Sequence, residues 1–117
     1  MTPEVAKKVY KIPAKSKKQM KVNEDDIEFF KQIWEERPHY SGVSGAFLGD
    51  EFNVVFFSHI LTKGAYPRFR HYPKNIVLMT FDEHQEWEFT DRKNPKWNEL
   101  RDEAEELINE YYNQPIV

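Results

Sequence analysis

The chain has 117 residues, 39% of them hydrophobic and 18 aromatic (nine Phe, six Tyr, three Trp), enough for one packed core and too few for two ordinary domains. It contains no cysteine, which excludes disulfide frameworks and thiolate metal sites, so any metal must be held by His, carboxylate or carbonyl groups. The net charge of −3 is segregated into +6 over residues 1–21, −6 over 22–51, +4 over 52–78 and −7 over 79–117, so a polyanion partner fits locally although the overall balance does not suggest one.

Residues 1–21 alternate Lys with small and polar residues around Pro3 and Pro13 without a sustained period, and are expected to form a flexible basic arm. A solubilising tail and a phosphate-binding arm account for it equally well. Residues 22–117 then form a single domain. Asn23, followed by Glu24, Asp25 and Asp26, predicts a capped helix start, because an Asn side chain accepts from free backbone N–H groups and acids favour the positive end of a helix. Ile27, Phe30, Ile33 and Trp34 continue at helical spacing until Pro38 stops the run.

From Ala46 onward, Phe47 and Leu48, the pair Gly49-Asp50, and then Phe52 to Phe57 predict a β-hairpin whose second strand runs into Ser58 and His59. A polar, aromatic and basic loop follows over 62–74, punctuated by Gly64, Pro67 and Pro73. A short apolar strand is expected over Ile76 to Met79 and a short helix over Phe81 to Phe89. After Pro95, Trp97, Leu100, Ala104, Leu107, Ile108 and Tyr111 mark a long amphipathic helix with an acidic, solvated outer face. No apolar run approaches the roughly 18 residues needed to cross a bilayer, nor is there a signal-peptide pattern, so a cytoplasmic protein is expected.

His59, Asn75 and His84 are spread over this strand, loop, strand and helix segment, 16 and 9 positions apart. Read singly, each is most simply a surface, core or turn residue. In that order, with Ser58-His59-Ile60-Leu61-Thr62-Lys63-Gly64-Ala65-Tyr66-Pro67 before them and Asn75-Ile76-Val77-Leu78 between, the segment resembles the HNH endonuclease family. It is most similar to the short phage-encoded members.

The resemblance implies an α+β, ββα-metal core of hairpin, loop and helix, flanked here by the N-terminal helix and the C-terminal amphipathic helix. It implies metal-dependent hydrolysis of DNA phosphodiester bonds, in the cytoplasm or inside an infected host cell. His59 falls at the general base, where an ordinary imidazole pKa near 6.5 suits proton abstraction at neutral pH. Asn75 falls at the residue that fixes the loop against the base. His84 falls at a metal ligand, with Glu88 one helical turn later and Ser58 beside the base as further candidates for Mg²⁺, Mn²⁺ or another transition metal. Lys63, Arg68, Arg70, His71 and Lys74, interleaved with aromatics and free of acids, are the expected nucleic-acid contacts. DNA is the expected partner, with RNA left open.

The chain departs from the family in two places. Ser41, Ser44, Thr80 and Glu83 stand at or near positions where many members carry two cysteine pairs around a structural zinc. A zinc-free form stabilised by aromatic packing is therefore expected. Ser58 stands where active members commonly have a stronger ligand. A catalytically impaired module that binds nucleic acid or protein is the alternative.

Overall fold

The computed structural model describes residues 22–113; the expected basic arm lies outside them. The first helix, α1, spans Glu24–Glu36. Asn23 caps it through a reciprocal box, in which its side chain accepts from the Asp26 N–H and the Asp26 carboxylate accepts from the Asn23 N–H. One stripe of α1, Phe30, Ile33 and Trp34, is buried, and the helix ends at Glu36, with Arg37 its extended C-cap ahead of Pro38.

The strand expected over Ile76 to Met79 is present, but the expected hairpin is not. No hairpin turns at Gly49-Asp50; Phe47 makes a single bridge to Tyr40, and Asn53 caps one turn of 3₁₀ helix over Val54–Phe56 by accepting from the Val55 N–H. Local hydrogen bonding thus competes successfully with strand pairing in this apolar run. His39 adds to that outcome. Its ring stacks on Trp34 at 3.6 Å and its two nitrogens lie 2.9 Å from the Trp34 carbonyl and 3.1 Å from that of Gly49, tying the segment down against α1.

The antiparallel pair is instead β1, Phe57–His59, with β2, Ile76–Leu78, in the register Phe57 to Leu78, Ser58 to Val77 and His59 to Ile76. Its two faces bury different clusters, because successive side chains of a strand alternate. Phe57, Ile76 and Leu78 pack with Phe30, Ile33, Trp34 and Leu48. Val77 borders the other cluster, which holds Ile60, Leu61, Phe69, Met79, Trp87, Trp97, Leu100, Leu107 and Tyr111.

Helix α2, Phe81–Phe89, is capped by Thr80 and Glu83, and α3, Asn98–Asn113, lays Leu100, Leu107 and Tyr111 on the second cluster. The architecture is α+β, with the two-stranded ribbon set between the first and last helices. No helix among the described residues is long and apolar enough to cross a membrane.

The four positions compared above with cysteine pairs meet in space. Ser41 Oγ donates to Glu83 Oε1 at 2.6 Å while accepting from the Val43 and Ser44 amides, and the Thr80 N–H donates to the same carboxylate oxygen at 2.9 Å. Burial raises the Glu83 carboxyl's affinity for its proton, but hydrogen bonds from Ser41, Ser44 and Thr80 outweigh it and hold the group below its usual range. Hydrogen bonds to a carboxylate thus join the 41–44 turn to the start of α2, beside the paired rings of Tyr40 and Phe47.

Candidate active site

His59 is the last residue of β1 and lies on the face that α1 covers, with the Phe30 ring 6.1 Å from its own. Its Nε2 sits 2.8 Å from the Arg70 carbonyl oxygen. A carbonyl only accepts, so Nε2 carries the proton and Nδ1 keeps a lone pair. The residue is 8% exposed, and its pKa is lowered to about 4. Desolvation is the main cause, and the charges of Lys63 and Arg70 act in the same direction. The ordinary imidazole value read from the sequence does not survive burial.

Asn75 is fully buried and clamps both ends of the intervening loop. Its Oδ1 accepts from the Leu61 N–H at 2.7 Å, and its Nδ2 donates to the carbonyls of Leu61 at 3.0 Å and Phe69 at 3.2 Å. The Ile60 N–H donates to the Asn75 carbonyl, closing the loop immediately after His59. Phe69 precedes the residue whose carbonyl receives the His59 proton, so Asn75 holds the backbone beside that acceptor.

His84 projects from the first turn of α2. Its Nδ1 lies 2.8 Å from the Val55 carbonyl and therefore donates; in the neutral ring Nε2 is then the acceptor nitrogen, and it lies 3.8 Å from Glu88 Oε2. One helical turn brings these two donors of different type together. His59, Lys63, His84 and Glu88 line one cavity of about 550 Å³, with Phe89 also in its wall. Ser58 does not join them. It belongs to the opposite face of β1, paired with Val77, and its buried Oγ has no hydrogen-bond partner among the described residues.

Among the described residues no group of three His, Asp or Glu side chains converges as a metal site. His84 and Glu88 supply one imidazole nitrogen and one carboxylate. That set fits a divalent ion that keeps most of its shell for water and substrate oxygens, as Mg²⁺ commonly does.

The basic loop is less available than its sequence suggests, because a carboxylate from α1 reaches into it. Arg70 donates to Asp26 through Nε at 2.9 Å and Nη2 at 2.6 Å, His71 Nε2 donates at 2.7 Å, and Lys63 Nζ lies 3.8 Å away. Burial would raise the Asp26 carboxyl, but the hydrogen bonds from Arg70, Asn23 and His71 and the charge of Lys63 hold it far below the usual carboxylate range. Arg68 donates to the Tyr111 carbonyl at 2.5 Å and lies over that ring, while Lys74, 3.9 Å from Glu110, is well exposed.

Sequence reasoning missed Asp26. Its position three residues after Asn23 accounts for it as a helix cap, and nothing local signals partners 44 and 45 positions later. A larger cavity of about 760 Å³ between β2 and the acidic face of α3 contains none of the candidate catalytic or metal-binding side chains. Compared with family models, with curated proteins and with solved structures, the chain matches none.

Proposed function

We propose that the protein is a metal-dependent endonuclease of the HNH type that hydrolyses DNA phosphodiester bonds. The observation carrying this reading is that His59 and His84 line one cavity, and each has one nitrogen committed to a backbone carbonyl so that the other can accept. In this reading His59 takes the proton of the attacking water while a P–O bond forms, and the 3′ or 5′ oxygen departs with the bonding pair and is protonated by solvent. Burial keeps His59 neutral, and so ready to accept, at neutral pH. The negative charge of a bound phosphodiester strengthens its hold on the proton it takes.

Asn75 keeps the loop and its carbonyls in register with the imidazole. A divalent ion held by His84 and Glu88 would stabilise charge on the leaving oxygen. Lys63, in the cavity wall, and Lys74, exposed at the loop's end, face the DNA backbone. Arg68 and Arg70 contribute their charge from positions fixed by Tyr111 and Asp26, with His71 held beside them on the same carboxylate. The convergence of Ser41, Ser44, Thr80 and Glu83 supports the HNH reading, because it puts a structural junction where that resemblance implies one.

Plasmid cleavage with Mg²⁺ or Mn²⁺ tests the assignment. His59→Ala is expected to lose about 10²- to 10⁴-fold in rate, with folding checked by circular dichroism; equal rates in the two proteins would remove His59 as the base. The two-donor metal site and the inward position of Ser58 favour one second reading, a nucleic-acid-binding module of the same scaffold without catalysis. Calorimetry with Mn²⁺ separates them: retention of DNA at low salt without any metal binding would favour the module.

A further inference from the structure

We propose that Asp26 is a positioning residue for the candidate base: its carboxylate fixes the Arg70 side chain, and with it the Arg70 carbonyl that receives the His59 Nε2 proton. The inference rests on the reading of His59 as base, and it assigns to α1 a part in the site that its role as a helix does not require.

A helix cap needs one acceptor, and solvent-exposed caps suffice. Asp26 is instead fully buried, and its two oxygens serve four partners. Oδ2 accepts from the Asn23 N–H at 3.0 Å and from Arg70 Nη2 at 2.6 Å, with Lys63 Nζ 3.8 Å away. Oδ1 accepts from Arg70 Nε at 2.9 Å and from His71 Nε2 at 2.7 Å. The two-pronged contact fixes the planar guanidinium in direction as well as distance.

Residue 70 is thus held by its side chain to Asp26, by its carbonyl to His59 and by its N–H to the Pro67 carbonyl at 3.2 Å, and of these the two-pronged side-chain contact is the one that reaches outside the loop to α1. Asn75 secures Phe69 immediately before it. Releasing the side chain leaves the 70–71 peptide freer to turn, and the Nε2 proton of the buried His59 then loses a fixed acceptor. Either ring nitrogen can carry the proton once that acceptor is gone.

The carboxylate also lowers the net charge of the Lys63, Arg70 and His71 cluster. Removing it therefore has two effects of opposite sign on catalysis. The base is less well oriented, which lowers kcat, while the cluster gains one positive charge, which strengthens phosphate binding and lowers KM. A purely structural loss would weaken both.

The test compares wild type, Asp26→Asn and Asn23→Ala by nitrogen NMR of the histidine rings and by cleavage kinetics. Asn23→Ala removes the cap and leaves the carboxylate on Arg70, so it controls for helix stability. The wild type and Asn23→Ala should show His59 as the single Nε2–H tautomer. Asp26→Asn should show a mixture, with kcat lower by up to about 100-fold and KM lower as well.

Retention of the single tautomer in folded Asp26→Asn would overturn the proposal. Arg70→Lys keeps the charge and loses the two-pronged contact. It should show the same mixing, and a single tautomer there overturns the proposal independently of how Asp26→Asn folds. If the wild type cuts no DNA, the catalytic reading fails while the tautomer comparison still decides whether Asp26 orients His59.

Discussion

His59 joins its sequence position to a protonation behaviour that the sequence does not display. Its order relative to Asn75 and His84 is legible, as is its place at the end of an apolar run. Its proton affinity is set by Phe30, by the Arg70 carbonyl and by cations from a loop, all distant in sequence. Because its folded pKa is about 4 against an ordinary 6.5, the unfolded chain binds more protons between those values. Stability from this group is therefore full above about pH 6.5 and is lost as pH falls toward 4. The total is about 3 kcal/mol. Urea unfolding at pH 7 and pH 4.5 should show most of that loss in wild type and little of it in His59→Asn. The contribution of Asp26 is full above its unfolded value of 3.8 and is lost in a separate window below it. The acid limb of kcat/KM should likewise fall near pH 4 rather than near 6.5.

The three helices were readable from different signals: α1 from its cap and apolar period together, α2 from its acidic start, and α3 from its apolar period after Pro95. The strand expected over Ile76 to Met79 is present as Ile76–Leu78, whereas the hairpin at Gly49-Asp50 is not, because Asn53 and His39 bend an aromatic run that would otherwise suit it. The true partner of β1 lies beyond a loop whose closure by Asn75 has no local signature. The ribbon's edge carries a further constraint. Gly42 donates its N–H to the Leu78 carbonyl at 2.8 Å, and a Cβ there would stand 2.8 Å from Val77 Cγ2. A β-branched side chain in a strand has little freedom to retreat. Gly42→Ala should cost about 1–3 kcal/mol, read as a lower denaturation midpoint at unchanged m-value. An unchanged midpoint would show that Val77 repacks freely.

At the scale of the whole molecule, charge segregation in the sequence becomes charge pairing in the fold. The acidic block over 22–51 contributes Asp26 to the basic block over 52–78, and the acidic C-terminal helix contributes Glu110, which lies beside Lys74 and accepts from the Tyr72 hydroxyl. The basic loop seemed open to a polyanion because its own residues include no acid; the acids arrive from both flanking helices.

The junction of Ser41, Thr80 and Glu83 has a practical outcome of a different kind. It is built from hydroxyls, an amide and a carboxylate, and the chain has no thiol, so neither chelators nor mild oxidants have anything to attack there. Prolonged EDTA treatment should leave Tm unchanged while abolishing plasmid cleavage, and a fall in Tm would expose an ion on which the fold depends. Metal can then be stripped and restored on one sample, with unfolding and turnover recorded as separate variables.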